Sequence, residues 1–496
     1  MVFSSFEFMW LFLPFTVIAY YWLCKRNSVR SPLFFLVVMS LIYYACWNVK
    51  YLAVIIGSVL INFWFGKKIQ ASPSQVLKRL FTIGGICTNV AALGYFKYTD
   101  FLLRLINECS GSKIPLPGIV LPIGISFFTF QQIAFLVDCY KGMVQERNFL
   151  SYCLFICFFP QLVAGPIVHH NEMMPQFADL SIRRFNHLNC YKGITLLFFG
   201  LAKKAVLADG LAPIVANVFD KHPDAGFMAA WTGSLAYTFQ LYFDFSGYSD
   251  MAVGIGLLFN VHLPQNFLSP YTALNVQDFW RRWHVTLSRW LMTYIYIPLG
   301  GSRVGFARTL INLFLTFLIG GIWHGAGETF VLWGVMHGVA LVLHRIWKTK
   351  RGEKASSSKT VFFRWLATFL FVNAAWVMFR AKTVACAVTM YKCMLGVEGK
   401  TSLLAIAEAM WKKVFYGMGG VSNLMNLDIG WHEVKAHITI FPLVLLGFWK
   451  LYDTSRYRTA MNPHWICTGF VLSLSLVSYW MIGRASRPPE FLYFQF

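Results

Sequence analysis

Apolar segments recur along nearly the whole chain, separated by short basic or glycine-containing connections. The 496 residues are 57% hydrophobic and 13% charged, whereas a soluble domain typically carries about 25% charged residues. A membrane-spanning helix needs about 20 apolar residues, and several of these segments are shorter. Broken helices are tolerated in a bilayer only where protein or a cavity surrounds them, so the short segments predict re-entrant helices. The pattern predicts an all-α polytopic membrane protein with about 11–12 transmembrane helices.

The positive charge is distributed between the apolar segments. The net charge is +22, and its basic residues gather in connections such as 25–30, 67–79 and 348–359. Because basic loops remain on the cytoplasmic side of a membrane, we predict an outer N-terminus and alternation from there. The first 21 residues lack a basic n-region and predict the first membrane helix. The last apolar segment, 464–482, is then expected to bring the C-terminus to the outer face. Membrane orientation accounts for the charge without a nucleic-acid partner.

A histidine ends one of the short apolar segments. Residues 309–324 are almost wholly apolar and end at His324, and Gly325 and Gly327 follow. At helical rise this segment is roughly 24 Å long, which is less than a full span. The next apolar segment runs back to a basic cluster, so we predict that His324 lies at the apex of a hairpin within the depth of the bilayer. An ionisable side chain there is by default a functional-site hypothesis.

A second polar cluster, at 275–290, contains His284 among arginines and tryptophans. If the cluster is helical, Trp280, His284 and Leu287 share one face. An interfacial helix with phosphate-facing arginines explains most of the basic residues. An interfacial helix explains less well why His284 would lie on the aromatic, inward face. His284 is therefore a second candidate functional residue.

Histidine suits acyl transfer because its ordinary pKa of about 6.5 makes it a natural general base near neutral pH. The chain lacks a GxSxG elbow and an HExxH motif, which disfavours the common serine and zinc hydrolases. The polar residues at 169–172, two histidines followed by an asparagine and a glutamate, indicate a polar loop more than a metal site. His337 is either a packing histidine or a tunnel residue. The 11 cysteines include no CxxC pair, so we expect neither a zinc site nor a disulfide framework.

A series of motifs resembles the membrane-bound O-acyltransferase (MBOAT) family, in the branch of alginate and peptidoglycan O-acetylation membrane proteins. The motifs are LPIGISFFTFQ at 121–131, FPQLVAGPI at 159–167, GLAKK at 200–204, YFDFSGYSDMA at 242–252 and the block 266–303. The two histidine motifs accompany this series, and together they cover roughly 120–345.

The resemblance implies short helices around a central tunnel that joins the two membrane faces. It implies that His324 is the catalytic histidine and that His284 is the second signature histidine. Trp323, His337 and Asp244 are possible tunnel or support residues. Asp244 and Asp250 match family positions, where a structural role at a helix break is expected. Lys203 and Lys204, expected at the cytoplasmic edge, could attract an anionic donor. The implied donor is cytoplasmic acetyl-CoA, with no bound cofactor and no metal.

The chain ends in an aromatic tail, 491–496, that contains Tyr493. This tail resembles one found in the same branch, and the small partner peptide of the related D-alanylation system, where a tyrosine carries the acyl group. Tyr493 is therefore a candidate acyl carrier, and the alternative is an interfacial aromatic anchor.

The sequence thus predicts an O-acetyltransferase of the bacterial inner membrane, with N-terminal helices at 1–100, a catalytic core at 117–347 and C-terminal helices with the tail at 361–496. Residues 400–432 are expected to add an amphipathic interfacial helix. The expected partner is a periplasmic SGNH-type acetyltransferase that delivers acetyl groups to a polysaccharide. Alternatives are D-alanyl transfer, transfer to a lipid or protein hydroxyl and, more remotely, a transporter, which broken helices would also suit.

Overall fold

The computed structural model describes residues 1–26, 30–145, 148–224, 226–351, 358–398 and 491–492. Every regular element in these ranges is helical. The predicted interfacial helix at 400–432, the apolar segment 464–482 and the carrier candidate Tyr493 lie outside the described residues.

Seventeen α-helices follow one another in the described ranges, numbered here in chain order. They are α1 (Leu13–Cys24), α2 (Ser31–Ala45), α3 (Leu52–Ala71), α4 (Gln75–Ser110), α5 (Ile125–Tyr140), α6 (Phe149–Cys157), α7 (Phe159–Leu162), α8 (His170–Ala178), α9 (His187–Ala202), α10 (Asp209–Ala216), α11 (Phe227–Leu258), α12 (Val276–Trp280), α13 (Val285–Leu291), α14 (Phe306–His324), α15 (Glu328–Arg351), α16 (Ser358–Arg380) and α17 (Val384–Met394). π-helical turns extend several of them, at Glu7–Phe12, Lys203–Ala208, Asn217–Lys221 and Met292–Tyr296.

Six helices of the described ranges are long and apolar enough to cross a membrane. They are Glu7–Cys24, Val49–Ala71, Gln75–Ser110, Phe306–His324, Glu328–Lys350 and Ser358–Arg380. Their outward faces carry large exposed apolar side chains, such as Ile18, Leu60 and Leu343, which fits contact with lipid. The prediction of an all-α polytopic membrane protein is confirmed, while the total of 11–12 crossings stays a prediction.

The helix α11 forms the axis of the fold, and nearly all of its residues from Gly233 onwards are buried. It packs closely against α9 through paired glycines. A methyl group added at Gly254 would lie 2.6 Å from the carbonyl oxygen of Gly193. One added at Gly200 would collide with the carbonyl oxygen of Gly247. Small residues let two helix backbones touch in this way inside a membrane, and this contact fixes the position of Asp244 and Tyr248 on α11.

The hairpin of α14 and α15 confirms the predicted apex, because α14 ends at His324 and α15 begins at Glu328. The predicted shortness of the first arm is wrong. α14 begins at Phe306 and has 19 residues, which is roughly 28 Å at helical rise. Gly305, at a φ of 88°, sets its start. The arm is therefore long enough to cross a membrane, and His324 is its last residue. The predicted position of His324 within the depth of the bilayer stays a prediction.

Candidate functional site

His324 is buried at the end of α14, with 6% of its surface exposed. Three aromatic rings surround its imidazole: Trp323 at 5.0 Å, Trp333 at 4.9 Å and Phe379 at 5.3 Å between ring centroids. Gly325 follows immediately, and any side chain there would collide with the ring of Phe330. The turn after the histidine is therefore tightly packed, and it holds the imidazole against α15 and α16.

Lys97 anchors the backbone of the same helix end. Its Nζ donates hydrogen bonds to the carbonyl oxygens of Trp323, at 2.6 Å, and His324, at 2.8 Å. Tyr98 donates a third, from its hydroxyl to the carbonyl oxygen of Ile322 at 2.5 Å. The last four carbonyls of a helix lack partners within it and carry partial negative charge, so a cation from α4 is well placed there. Lys97 is a site residue that the motifs do not indicate, although its position directly after an apolar segment is a signal for it.

A cavity of about 340 Å³ opens beside His324. His324, Lys97 and Phe127 contribute to its wall, together with mainly apolar residues from the N-terminus, α2 and the segment before α5. Met1, Trp47 and Val120 also line it, and all three fall on the outer face in the predicted orientation. The cavity is of the size that small ligand sites occupy, and it places an imidazole within reach of a bound group.

His284 lies at a break between α12 and α13, so the condition of one continuous helix, under which Trp280, His284 and Leu287 would share one face, is not met. Its φ is 43°, in the left-handed region that non-glycine residues rarely adopt. It caps α13, because its Nδ1 accepts a hydrogen bond from the backbone N–H of Leu287 at 3.3 Å. The side chain is fully buried, which agrees with the inward placement predicted for it.

Phe127 connects the surroundings of the two histidines. The ring of Phe127 is stacked 6.5 Å from His284 and packs edge-on 5.8 Å from Trp323, the neighbour of His324. The structure therefore brings the two candidates to one region, with Phe127 as the shared wall.

His337 is a packing residue in this arrangement. It is fully buried, and its Nδ1 accepts a hydrogen bond from the indole N–H of Trp280 at 3.1 Å. The rings of Trp333 and Phe371 lie 4.7 and 5.3 Å away. Trp323, by contrast, lines the cavity directly and stacks on Phe130 at 4.7 Å. Trp323 therefore lies at the cavity, and His337 lies behind it.

The lysines of the GLAKK motif are buried and ion-paired, which corrects the expectation of cytoplasm-edge lysines that attract a donor. Lys203 Nζ lies 2.5 Å from Asp250 Oδ2. Lys204 Nζ lies 2.6 Å from Asp244 Oδ1 and 2.8 Å from Asp209 Oδ1. Asp244 and Asp250 both sit within the unbroken helix α11, so the predicted helix break is wrong as well. These pairs join α11 to the end of α9.

The cluster at 169–172 is a capped helix start engaged by neighbouring side chains. Arg289 forms a two-pronged ion pair with Glu172, at 2.5 and 2.7 Å, and His170 Nδ1 lies 3.0 Å from Asp138. Burial and the nearby Arg289 guanidinium lower the pKa of His169. In the described part of the chain no three histidine, cysteine or acidic residues are grouped to hold a metal ion.

The described part of the C-terminal tail, Phe491 and Leu492, is docked in the core. The backbone N–H of Leu492 donates to Asp244 Oδ2 at 3.0 Å, and Phe491 is 1% exposed. The tail therefore contacts α11 at Asp244, the ion-paired carboxylate that the sequence predicts as a possible support residue.

Comparison with known proteins gives one family and several close relatives. A model of the membrane-bound O-acyltransferase family (MBOAT) matches residues 5–390. A peptidoglycan O-acetyltransferase of Helicobacter pylori is 42% identical over 100% of this chain and 98% of its own length. A "probable alginate O-acetylase" of Pseudomonas putida is 40% identical over the full length of both chains. A teichoic acid D-alanyltransferase of Bacillus subtilis is 26% identical over 52% of this chain and 69% of its own.

Proposed function

Because this chain belongs to the membrane-bound O-acyltransferase family and is a multi-pass membrane O-acyltransferase, we propose that it transfers acetyl groups from cytoplasmic acetyl-CoA towards an exported polysaccharide. The observation that carries the proposal is the placement of His324: a buried imidazole at a helix end, anchored by Lys97, on the wall of a cavity. The names of the full-length relatives, a peptidoglycan O-acetyltransferase and a "probable alginate O-acetylase", support acetyl as the group and a glycan as its destination.

His324 acts as the general base in this scheme. Its neutral imidazole takes the proton of an acceptor hydroxyl while the oxygen attacks the thioester carbonyl. The carbon–sulfur bond then breaks, and the thiolate leaves with the proton from the imidazolium. The products are an O-acetyl ester and free coenzyme A. Nothing in this step requires a metal or a bound cofactor.

Tyr493 is the proposed acceptor hydroxyl and acyl carrier. Leu492, its neighbour in the chain, bonds to Asp244, whose own neighbour Phe245 packs 4.8 Å from His284. A periplasmic SGNH-type acetyltransferase then removes the acetyl group from Tyr493 and delivers it to the polymer. This scheme places the protein in the bacterial inner membrane with both termini on the outer face.

The first test is His324→Ala, with His344→Ala as the matched control. His344 lies on the same helix hairpin and stacks on Trp347. Loss of a general base typically lowers the rate by about 10²–10⁴-fold. We expect His324→Ala to abolish acetylation of the polymer in cells that contain equal amounts of inserted protein, and the control to remain active. Near-normal acetylation by His324→Ala would remove His324 from its role.

The second test is Tyr493→Phe, which deletes one oxygen and keeps the ring. The carrier role requires the hydroxyl, so we expect transfer to the polymer to stop. In cells that lack the periplasmic acceptor protein, mass spectrometry of the C-terminal peptide should show one added acetyl group on Tyr493. An active Tyr493→Phe protein would reduce the tail to an anchor.

D-alanyl transfer is the second candidate function, favoured by the partial similarity to the Bacillus subtilis teichoic acid D-alanyltransferase. Incubation of the purified protein with labelled acetyl-CoA or with a D-alanyl carrier protein separates the two. Label transfer from acetyl-CoA alone supports the proposal, and transfer from the carrier protein alone overturns it.

A further inference from the structure

Phe491 and Leu492 contact three groups on two buried elements. The Leu492 N–H donates to Asp244 Oδ2 at 3.0 Å. The ammonium of Lys204 lies 4.8 Å from the centre of the Phe491 ring. The same ring packs edge-on against Tyr248 at 4.5 Å. A backbone hydrogen bond, a cation–π contact and an aromatic contact therefore converge on two consecutive residues.

Asp244 uses its two oxygens for two different tasks. Oδ1 receives the Lys204 ammonium at 2.6 Å, while Oδ2 receives the tail amide. The carboxylate is 1% exposed, and a buried carboxylate is stable only when its oxygens are paired and hydrogen-bonded. The tail supplies one of those bonds, so its docking and the ion pair stabilise each other.

Lys204 holds Asp244 in the orientation that presents Oδ2 to the tail. It is itself held by a second carboxylate, Asp209, at 2.8 Å. Further along α11, Asp250 forms a comparable buried pair with Lys203. Both pairs join the same helices. The Lys204–Asp244 pair also binds the Leu492 amide.

The docking position adjoins the candidate catalytic region. Phe245, the residue after Asp244, lies 4.8 Å from His284. Tyr248 stacks on Phe3 at 4.8 Å, and Phe3 stacks on Tyr43 at 5.7 Å. Tyr43 in turn lines the cavity that contains His324. Continuous ring contacts thus lead from the tail to the cavity wall.

We propose that Asp244, oriented by Lys204, is the docking residue for the C-terminal tail of the same chain and a positioning residue for acyl transfer. It fixes residue 492 and so sets where Tyr493, the next residue, is presented. The consequence for catalysis rests on the proposed function of Tyr493, whereas the docking itself does not. The site thus binds a peptide segment of the same chain.

Amide hydrogen exchange tests the docking without reference to activity. In the full-length protein in detergent, the Leu492 amide is read from the C-terminal peptide by mass spectrometry. Asp244→Asn leaves one oxygen for two donors, and loss of a hydrogen bond to a charged group corresponds to roughly 10- to 100-fold faster exchange. Asp250→Asn, which disrupts the neighbouring pair, should leave Leu492 exchange at the wild-type rate. Equal exchange in the two variants, or an unprotected amide in the wild type, overturns the proposal.

A tail-side variant keeps the test valid if Asp244→Asn fails to fold. Phe491→Ala leaves both ion pairs intact and removes the ring between Lys204 and Tyr248, and it should also accelerate exchange at Leu492. Protection that persists in Phe491→Ala overturns the docking.

Acetylation measurements separate the docking of the tail from its consequence for acyl transfer by Tyr493. With docking and the carrier role both correct, Asp244→Asn and Phe491→Ala lower polymer acetylation, and Asp250→Asn at equal protein levels lowers it less. Faster exchange with unchanged acetylation overturns the positioning role and leaves the docking in place. An active Tyr493→Phe protein with a protected Leu492 amide overturns the carrier function alone.

Discussion

Lys97 offers a test of how the helix end holds the candidate base. We expect Lys97→Met to lower acetyl transfer on the order of 100-fold. The substitution keeps the length of the side chain and removes both hydrogen bonds to the carbonyls of Trp323 and His324. A hydrogen bond to a charged group contributes about 1.5–3 kcal/mol. Because Lys97 is half-buried, the lower value applies, and two bonds give about 3 kcal/mol. These bonds hold the imidazole in its reactive orientation, so we expect their loss to raise the activation free energy by this amount, and each 1.4 kcal/mol of activation free energy corresponds to about tenfold in rate.

Tyr98→Phe is the matched control, because its hydroxyl bonds the adjacent carbonyl of Ile322 without a charge. A neutral hydrogen bond contributes about 0.5–1.5 kcal/mol, so activity should fall less than about tenfold. Polymer acetylation at matched protein levels gives the rates, and thermal unfolding of the purified proteins shows whether the fold is intact. A Lys97→Met protein within threefold of wild type would refute the reasoning, as would a Tyr98→Phe protein that is equally impaired.

Two further predictions concern backbone geometry near the site. His284→Asn should keep the fold, because asparagine tolerates the left-handed conformation and can cap α13. It should lose acetylation activity, because the imidazole is removed. Unchanged acetylation removes His284 from the catalytic residues. Gly321→Ala should destabilise the protein by about 1–3 kcal/mol, because the added methyl would lie 2.6 Å from the carbonyl oxygen of Phe330 and 2.7 Å from the Cα of Gly334. Gly320→Ala meets only the flexible tip of Leu291, at 3.3 Å, and should be neutral or stabilising in thermal unfolding; similar melting temperatures for the two glycine variants contradict this prediction.

Sequence patterns predicted the features that depend on local composition. The glycines after His324 correctly marked the end of α14, and the apolar segments correctly gave an all-helical membrane protein. The start of α14 was misjudged because Phe306–Arg308 includes a basic residue, which the apolar pattern does not count although the helix includes it. Composition indicates which segments are apolar, and capping geometry decides where the helix begins.

Features that depend on tertiary contacts could not be read from the chain. His284 lies in a helical pattern, and its left-handed conformation depends on long-range packing against Phe127 and Phe245 that the sequence does not indicate. Lys204 and Asp244 are 40 positions apart, and nothing local indicates that they pair or that residue 492 joins them. Such long-range contacts depend on how α9 and α11 meet.

The paired charges between α9 and α11 also constrain how this protein can diverge. Loss of one partner leaves a buried charge and costs about 3–5 kcal/mol, whereas replacing both partners with apolar residues of similar volume is often neutral. Replacing Lys203 or Asp250 alone should therefore destabilise the protein. A second substitution at the partner position should restore its stability. Lys204 also pairs with Asp209, and Asp244 also accepts a hydrogen bond from the Leu492 amide, so three or more positions must change together. Among homologous sequences, a change at Lys203 or Asp250 should therefore be accompanied by a change at its partner, and Lys204, Asp244 and Asp209 should change only together.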